Sequence, residues 1–227
     1  MPSAAAIVLA AGTGERLGSQ VPKAFVPLGG RPLLARAVAT AFSCPSIELV
    51  VVTAPPGSED LAHAIVEPLG SHAVVTGATT RHGSVGAALS AVPDEFATIV
   101  CHDAARAMAS PALYSAVIGA LRGWDGVVPV VPVPDTIKRV HGDEVVGTES
   151  REGLALAQTP QAFTAAALRD SHARAAAASL DFTDDAGALE WAGYRVRIVP
   201  GEQGNFKITT AEDLARAEHR LLEATRG

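Results

Sequence analysis

A glycine-rich turn followed by two cations is the first feature of the sequence that could do chemistry. The apolar run AAAIVLAA leads into Gly12 and Gly14, with Arg16 and Lys23 soon after. Glycines let a backbone approach a ligand closely, and Arg and Lys form strong hydrogen bonds with phosphate oxygens. The stretch lacks both the Gly-Lys-Ser/Thr ending of a P-loop and the third glycine of a dinucleotide fingerprint. It predicts a different anion-binding loop, with a purely structural βα turn as the alternative.

Further basic residues occur at or near the ends of predicted loops, although the chain carries a net charge of -6. Single Arg and Lys side chains are mostly exposed surface charges, so their shared location carries the argument. We interpret the gathering as one pocket for an anionic ligand. A basic face typical of nucleic-acid binding is not evident, and no nucleic-acid partner is expected. The basic residues are Arg16, Lys23, Arg81, Arg106, Lys138, Arg151 and Lys207.

Asp103 ends the apolar segment ATIVCHD. A carboxylate there suits a sugar hydroxyl or Mg²⁺, which prefers oxygen ligands and phosphate company. The alternative is that Asp103 caps a helix. His102 precedes it in a strand, should point to the opposite face and is assigned no chemistry. No Ser-His-Asp or Cys-His pattern stands out, which is consistent with a phosphate monoester, already ionised at neutral pH, as the nucleophile.

Apolar segments alternate with stretches of helical composition over the first part of the chain. This alternation is typical of βαβ units and of a mostly parallel sheet covered on both faces. Ligands of such sheets bind at the carboxyl ends of the strands, where the glycine loop, TGATTRHGS and HDAAR are all expected. The predicted strands are 5–11, 48–54, 72–77, 97–103 and 126–133, and the predicted helices are 32–41, 58–69, 81–91 and 110–122.

The pattern changes after Pro134. The polar segment 135–153 predicts two short strands around a His141–Gly142–Asp143 turn, a hairpin arm with too few apolar residues to fold alone. Thr209 and Glu212 predict a capping box at the start of the last helix. The other predicted elements are helices at 164–178 and 183–192, strands in YRVRIVPG and FKIT, and a final helix from about 210. One α/β domain over residues 1–227, with this arm, is the expected organisation.

Composition favours a reducing compartment. Cys44 and Cys101 lie far apart without metal-binding spacing, and we expect structural thiols and a cytoplasmic location. The apolar runs are shorter than the ~20 residues that span a membrane, so no membrane partner is expected. The N-terminal residues lack the basic region of a signal peptide and are predicted to be the first strand.

The ordered set of motifs resembles the 2-C-methyl-D-erythritol 4-phosphate cytidylyltransferases over residues 5–221. The motifs are LAAGTGERLGSQVPKAF, HDAAR, PVPDTIKRV, TPQAF, FTDDAGALEWAG and GNFKITTAEDLARAE. The opening loop belongs to the wider sugar-nucleotidyltransferase superfamily, while the later motifs narrow the resemblance. The resemblance implies a Rossmann-like nucleotidyltransferase domain that transfers a cytidylyl group from CTP to methylerythritol phosphate, with release of pyrophosphate, in non-mevalonate isoprenoid biosynthesis. It also implies a divalent cation and a homodimer formed through the arm.

The resemblance assigns roles on the nucleotide side. Arg16 and Lys23 would hold the triphosphate and stabilise the transition state, Ser84 would contact the cytosine, and Asp103 would lie between CTP, metal and polyol. Lys207 joins Arg16 and Lys23 as a catalytic cation. The residues expected to bind the nucleotide are Ala10, Ala11, Gly12, Gly14, Gly77, Ser84, Asp103 and Ala104.

The resemblance also assigns the acceptor side. The residues expected to bind methylerythritol phosphate are Asp103, Arg106, Asp135, Thr136, Arg151, Thr183, Asp184 and Lys207. Three positions depart from the family pattern: Glu15 where a second basic residue is frequent, Ala78 where a second glycine is frequent, and Ala107 where proline is usual. These departures affect a phosphate contact, a base contact and the rigidity of a loop.

Three alternative functions remain open from the sequence. A ribitol 5-phosphate cytidylyltransferase would share the opening loop and the DTI segment. A uridylyl- or adenylyltransferase acting on a sugar 1-phosphate would share mainly the opening loop. A nucleotide-sensing module without turnover would not need the full set of charges. Pyrophosphate release from CTP with each polyol phosphate discriminates between these functions.

Overall fold

A computed structural model describes residues 3–12, 14–19 and 21–224. The five strands predicted from continuous apolar segments are confirmed, with ends that shift by one or two residues. The strands are β1 (Ala4–Leu9), β2 (Pro27–Leu28), β3 (Arg31–Pro32), β4 (Ile47–Ala54), β5 (His72–Thr76), β6 (Thr98–Asp103), β7 (Gly126–Pro132), β8 (Ile137–His141), β9 (Glu144–Glu149), β10 (Ala155–Ala157), β11 (Gln161–Thr164) and β12 (Val196–Pro200).

The main sheet is mostly parallel, as predicted. Its strands follow the order β5-β4-β1-β6-β11-β7-β12. Strand β10 also pairs with β7, on the same edge as β11 but farther along the strand. The strands β10 and β11 run antiparallel to their neighbours, whereas β1, β4, β5, β6, β7 and β12 pair in parallel. The sequence did not predict either antiparallel strand. β11 is paired on both sides because it is inserted between β6 and β7.

The helices cover both faces of the sheet, because alternate residues of each buried strand point to opposite faces. Along β1, Ala4, Ala6 and Val8 pack toward one face, and Ala5 and Ile7 toward the other. The first face is covered by α1, α2 and α4, and the second by α3, α5 and α6. The helices are α1 (Leu33–Phe42), α2 (Glu59–Val66), α3 (Arg81–Leu89), α4 (Pro111–Gly119), α5 (Ala165–Ala177), α6 (Asp185–Trp191) and α7 (Ala211–Ala224).

The segment before α7 differs from the prediction in two ways. FKIT is not a strand but a loop that crosses the carboxyl ends of the strands, where Ile208 N donates to Ala105 O at 2.8 Å. The capping box is also shifted by one residue. Thr210 Oγ1 accepts from Asp213 N and the Asp213 carboxylate accepts from Thr210 N, whereas Glu212 is exposed. The shorter Asp side chain fits this reciprocal pair.

A separate apolar cluster lies under the glycine loop and this C-terminal loop. Leu17 comes from the glycine loop, Ala107 from the segment after β6 and Ile208 from the C-terminal loop. The cluster therefore fixes, in one packed unit, the segments that carry Arg16, Lys23 and Lys207. Its buried members are Leu17, Val26, Leu28, Leu33, Ala107, Ile208 and Ala217.

The predicted arm is present as a two-stranded hairpin, β8 paired with β9 in a sheet of its own. The two-residue turn holds Gly142 at a φ of +60°, a conformation that glycine adopts without strain. Most residues of the arm are exposed, including Val140, Val145 and Val146. Among the helices of the described residues, none is long and apolar enough to cross a membrane.

Candidate active site

A cavity of about 660 Å³ opens at the carboxyl ends of β1, β4, β5 and β6. This is the edge of the sheet where the sequence predicted the ligand. Small residues form much of the wall, and three cations and one carboxylate project into it. Predicted nucleotide residues in this wall are Ala10, Ala11, Gly12, Gly77, Ser84, Asp103 and Ala104, and the cations are Lys23, Arg81 and Lys207.

Two positions require glycine because the side chain of another residue approaches each of them closely. A Cβ on Gly77 would lie 2.2 Å from Ala11 Cβ, so the loop after β5 can contact the loop after β1 only with glycine there. Gly14 has a φ of +73°, and a Cβ on it would lie 2.4 Å from Lys23 Cβ. Gly14 does not line the cavity itself. Instead, its missing side chain lets Lys23 fold back against the loop and into the cavity.

Ser84 has a role in the loop that the sequence did not predict. Its hydroxyl donates to Thr80 O at 2.9 Å and accepts from Ala78 N at 3.0 Å. The side chain therefore stabilises the turn before α3 while it lines the cavity. Ala78 lies in the same wall, so the departure from glycine there adds a methyl group beside the predicted base site.

The cations of the cavity lie close enough together to affect one another's charge. Burial, followed by the nearby Lys207, lowers the pKa of Lys23, while Asp103 opposes this shift. Arg16 is a weaker contributor to the lowered pKa of Lys23. It is exposed and lies in the turn Glu15–Leu17, outside the cavity lining. The side chain of Glu15, a departure from the family pattern, lies outside the described part of the chain.

Asp103 is the centre of the charge network. Lys207 Nζ lies 2.7 Å from Asp103 Oδ2, and Arg81 Nε lies 3.2 Å from Oδ1. Burial alone would raise the pKa of Asp103, but Arg81 and Lys207 outweigh it, and this pKa lies well below its usual range. Asp103 is thus an ionised carboxylate at the cavity wall. It does not cap the next helix, because the N-cap of α4 is Ser110.

A second cavity of about 210 Å³ adjoins the first. Arg81, Asp103 and Lys207 line both cavities and therefore form their common wall. Arg106 lies in the second cavity, where its guanidinium donates to Asn205 O at 2.9 Å and to Ala157 O at 3.1 Å. The predicted acceptor residues in its lining are Asp103, Arg106, Thr183, Asp184 and Lys207.

Some predicted site residues lie elsewhere in the single chain. Asp135, Thr136 and Arg151 are exposed at the base of the arm and line neither cavity. Lys138, counted among the pocket cations, instead extends along the arm and donates to Thr148 Oγ1 at 2.7 Å. The prediction that all seven basic residues gather in one pocket is therefore wrong within one chain. Arg16, Lys138 and Arg151 line neither cavity, and Arg106 lines only the smaller one.

The sequence missed the polar residues that support this wall. Thr159 Oγ1 accepts from Asp103 N at 3.0 Å, and Asn205 Nδ2 donates to Thr159 O at 2.8 Å. Thr159 was visible only as part of the TPQAF motif. Asp185, the second acid of TDD, is fully buried and lies 2.8 Å from Arg81 Nη1. The sequence shows Arg81 as one of the basic residues but predicts no role for it.

Comparison with known proteins gives a consistent result. Residues 4–223 match the family model described as IspD: 2-C-methyl-D-erythritol 4-phosphate cytidylyltransferase. A protein of that name from Rhodococcus opacus is 46% identical over 221 residues, covering 96% of this chain and 95% of the relative. The crystal structure of a Thermus thermophilus protein of the same name has a TM-score of 0.81 at 35% identity, covering 97% of this chain and 98% of that chain.

Longer relatives also match. A bifunctional enzyme IspD/IspF from Clavibacter michiganensis is 45% identical over 224 residues, which cover 96% of this chain but 54% of the relative. The chain therefore spans about half the length of such relatives. The mostly parallel sheet and the cation-lined cavities at its carboxyl edge are typical of nucleotidyltransferase folds. Within that class, the chain belongs to the 2-C-methyl-D-erythritol 4-phosphate cytidylyltransferase family. The expected fold and family are confirmed.

His102, which precedes Asp103, provides a test of how the free energy of unfolding depends on pH. It is fully buried, and burial, the largest cause, lowers its pKa from 6.5 to about 4. The unfolded chain therefore binds a proton at this residue between these pH values while the folded chain does not, so stability falls as the pH falls through this window. Between pH 7.5 and 5 we expect His102 to account for a loss of about 2 kcal/mol in the free energy of unfolding.

The measurement is urea unfolding of the wild type and His102→Asn at both pH values. The variant should lose about 2 kcal/mol less than the wild type on acidification, while other titrating groups affect both proteins equally. Equal losses in both proteins would show that His102 does not hold this depressed pKa in the folded chain. Because no role in proton transfer is assigned to His102, turnover by the folded variant should stay close to that of the wild type.

Proposed function

We propose that the chain transfers a cytidylyl group from CTP to 2-C-methyl-D-erythritol 4-phosphate, giving the CDP-alcohol and pyrophosphate for non-mevalonate isoprenoid synthesis. The observation that carries the proposal is the wall of Arg81, Asp103 and Lys207 between two cavities. A reaction between two phosphates requires two anion sites that meet at a charged centre. The larger cavity suits the nucleotide, and the smaller one suits the polyol phosphate. Family membership supports both substrate assignments.

The nucleotide would bind along the small residues of the larger cavity. Backbone groups of the loops after β1 and β5 line it because Gly77 permits their close approach. Lys23 and Lys207 project into the same space and would contact the triphosphate, with Arg16 reaching in from the exposed turn. Their mutual repulsion is relieved when an anion binds, so they favour the negatively charged ligand.

The polyol phosphate would bind in the smaller cavity, with Arg106, Thr183 and Asp184 as contacts. One of its phosphate oxygens attacks the α-phosphorus of CTP, and the bond from that phosphorus to the pyrophosphate oxygen breaks. The attacking group is already ionised at neutral pH, so the protein supplies alignment and charge rather than a base. Lys23 and Lys207 would stabilise the negative charge that grows on the phosphates as the bond breaks.

A divalent cation, Mg²⁺ by preference, fits one position. Asp103 is an ionised carboxylate at the common wall, and both of its oxygens already accept from cations at 2.7 and 3.2 Å. No group of three or more metal-binding side chains occurs among the described residues. Because each oxygen of Asp103 keeps a second lone pair, this carboxylate fits Mg²⁺ that would be held by it and by the substrate phosphates. When bound, the ion would supply charge neutralisation to those phosphates.

The direct test is pyrophosphate release by the purified chain with CTP, Mg²⁺ and each acceptor separately. We expect turnover with methylerythritol phosphate, loss of activity with a chelator, and little turnover with ribitol 5-phosphate. Equal or better turnover with ribitol 5-phosphate would assign the chain to that reaction instead. Binding of CTP without turnover of either acceptor would favour the nucleotide-sensing module.

Lys23 provides a test of transition-state stabilisation. Loss of one such donor typically costs ~10²–10³ in kcat, or about 3–4 kcal/mol. Lys23→Ala should therefore lower kcat by this factor and change the KM for CTP much less. Arg122→Ala is the control, because Arg122 is exposed between α4 and β7, at the opposite edge of the sheet. A rise in KM alone would make Lys23 a uniform binder of CTP and exclude the transition-state role.

We also propose that the arm joins two copies of the chain. An isolated hairpin is marginally stable in water, and Val140, Val145 and Val146 are each more than half exposed. A two-fold dimer would cover such a surface with the same surface of a second copy. The site residues on the arm, among them Thr136 and Arg151, would then complete the acceptor site of the partner subunit. Their absence from both cavities of the single chain supports this arrangement.

Mixed dimers test the sharing of sites. Inactive Lys23→Ala and Arg151→Ala chains are unfolded together, refolded and assayed. Random pairing makes half of the dimers mixed, each with one site that has both residues, so about a quarter of all sites should recover. The matched control pairs Lys23→Ala with Lys207→Ala, whose residues line one cavity of one chain, and should give no recovery. No recovery from the first pair, with mixed dimers shown to form, would exclude a shared site.

A cytoplasmic location is part of the same proposal. Cys44 and Cys101 are both buried free thiols, and burial, as the largest cause, raises the pKa of Cys101. Thiols of this kind are typical of proteins that fold in a reducing compartment.

A further inference from the structure

A buried chain of polar groups continues from the common wall into the protein behind it. Arg81 contacts Asp103 through Nε, and its Nη1 lies 2.8 Å from Oδ2 of Asp185. The other oxygen of Asp185 lies 3.1 Å from Nε2 of His172. The ring of His172 stacks on that of His82, with centroids 4.0 Å apart and planes within 6°. This row of buried polar groups thus joins α3, α5 and α6 to the end of β6.

Asp185 has no direct access to either cavity. Its side chain has no exposed surface and it is absent from both linings. Burial would raise the pKa of Asp185, but Arg81 and then His172 outweigh it, and the pKa is lowered. An ionised carboxylate in such a place is retained only where partners compensate its lost hydration. Its partners here are Arg81, which connects it to the wall, and His172, which lies on its other oxygen.

Arg81 needs two counter-ions to hold its observed orientation. It is the first residue of α3, after the N-cap Thr80, so its backbone is fixed by the helix start. The guanidinium is planar and offers its donors in fixed directions. With Asp185 on Nη1, only Nε is directed at Asp103 Oδ1. The second carboxylate oxygen of Asp103 stays with Lys207, at 2.7 Å.

We propose that Asp185, supported by His172, is a positioning residue that orients Arg81 and thereby fixes the rotation of the Asp103 carboxylate. This inference rests on the proposed function for its kinetic consequences. Without the charge of Asp185, the guanidinium of Arg81 turns to take both oxygens of Asp103, because bidentate pairing is its favoured geometry. Lys207 must then share its oxygen with Arg81, and the Asp103 carboxylate rotates from the orientation that it holds at the common wall.

The variant Asp185→Asn keeps the shape of the side chain and removes its charge. Misplacement of a reacting group by about 1 Å can cost ~10² in rate, so kcat should fall about 10- to 100-fold. The KM for CTP should stay within about threefold, because the small-residue wall that would hold the nucleotide does not include Asp185. A general loss of packing would instead raise KM and lower the unfolding temperature together, without selective loss of kcat.

The matched control is Asp170→Asn. Asp170 lies on α5, two residues before His172, and its carboxylate is exposed and contacts Arg174 and Tyr194. The same chemical change there should leave kcat and both KM values within about twofold, as surface changes usually do.

A double-mutant cycle tests whether Asp185 acts through Arg81. Added to Arg81→Gln, Asp185→Asn should cost little further, because Asp185 acts through Arg81. Full additivity would overturn the proposal.

A spectroscopic measurement separates this inference from the proposed reaction. In protein with labelled arginine, the Nε–H resonance of Arg81, assigned by its loss in Arg81→Lys, reports the hydrogen bond to Asp103. Asp185→Asn should shift it and speed its exchange with water, while Asp170→Asn should leave it unchanged. An unchanged resonance would overturn the positioning role, whichever substrate the wild type turns over. If the wild type is inactive with CTP and methylerythritol phosphate, only the proposed function fails.

A milder variant covers the case in which Asp185→Asn does not fold. His172→Phe keeps a flat ring against His82 and removes the Nε2 contact with Asp185. It should shift the Arg81 resonance in the same direction by a smaller amount and lower kcat less. If Asp185→Asn does not fold, an unchanged resonance in His172→Phe would overturn the proposal.

Discussion

The ion pairs of Asp103 are the interaction on which the site depends. This carboxylate is nearly buried, and an ion moved out of water loses several kcal/mol of hydration unless its partners replace it. Lys207 and Arg81 replace it from two sides. Because Lys207 belongs to the C-terminal loop and Arg81 to the start of α3, the requirement brings together segments that are far apart in sequence. The common wall of the two cavities is the structural result.

The same arrangement requires the protein to hold like charges together. Burial, and after it the nearby charge of Lys207, lowers the pKa of Lys23. Repulsion of this kind is opposed by the apolar cluster in which Leu17 and Ile208 are buried together. Ile208 is also tied to the end of β6 by its backbone hydrogen bond to Ala105. Packing energy therefore maintains the cationic cavity.

The sequence predicted well the elements whose signal is local. β1, β4, β5, β6 and β7 are continuous apolar runs, and the glycine loop and Asp103 follow such runs directly. β10 and β11 were missed because polar residues and Pro160 interrupt the segment, although Gln158, Thr159 and Gln161 are all buried. FKIT alternates like a strand, but Ile208 enters the apolar cluster under the loop instead of a sheet face.

The residues of the candidate site show the same difference between those with a local signal in the sequence and those without one. The sequence predicted the residues that lie at or just after the end of a strand and reach the cavity from there, among them Gly12, Gly77 and Asp103. The contact between Arg81 and Asp185 joins two helix starts from different halves of the chain, and no sequence spacing encodes it. The placement of Arg151 outside both cavities also has no local signal, because its proposed partner lies in another molecule.

The position of β11 has a consequence for the order of folding. β6 pairs with β1 on one edge, and in the described part of the chain its other edge is filled by residues 161–164, which the ribosome makes much later. Until then β6 and β7 each present an open edge, a feature that invites pairing with other chains. Such pairing between distant segments is slow, since the intervening loop must close first. Closing both open edges of the sheet therefore depends on the insertion of one four-residue strand.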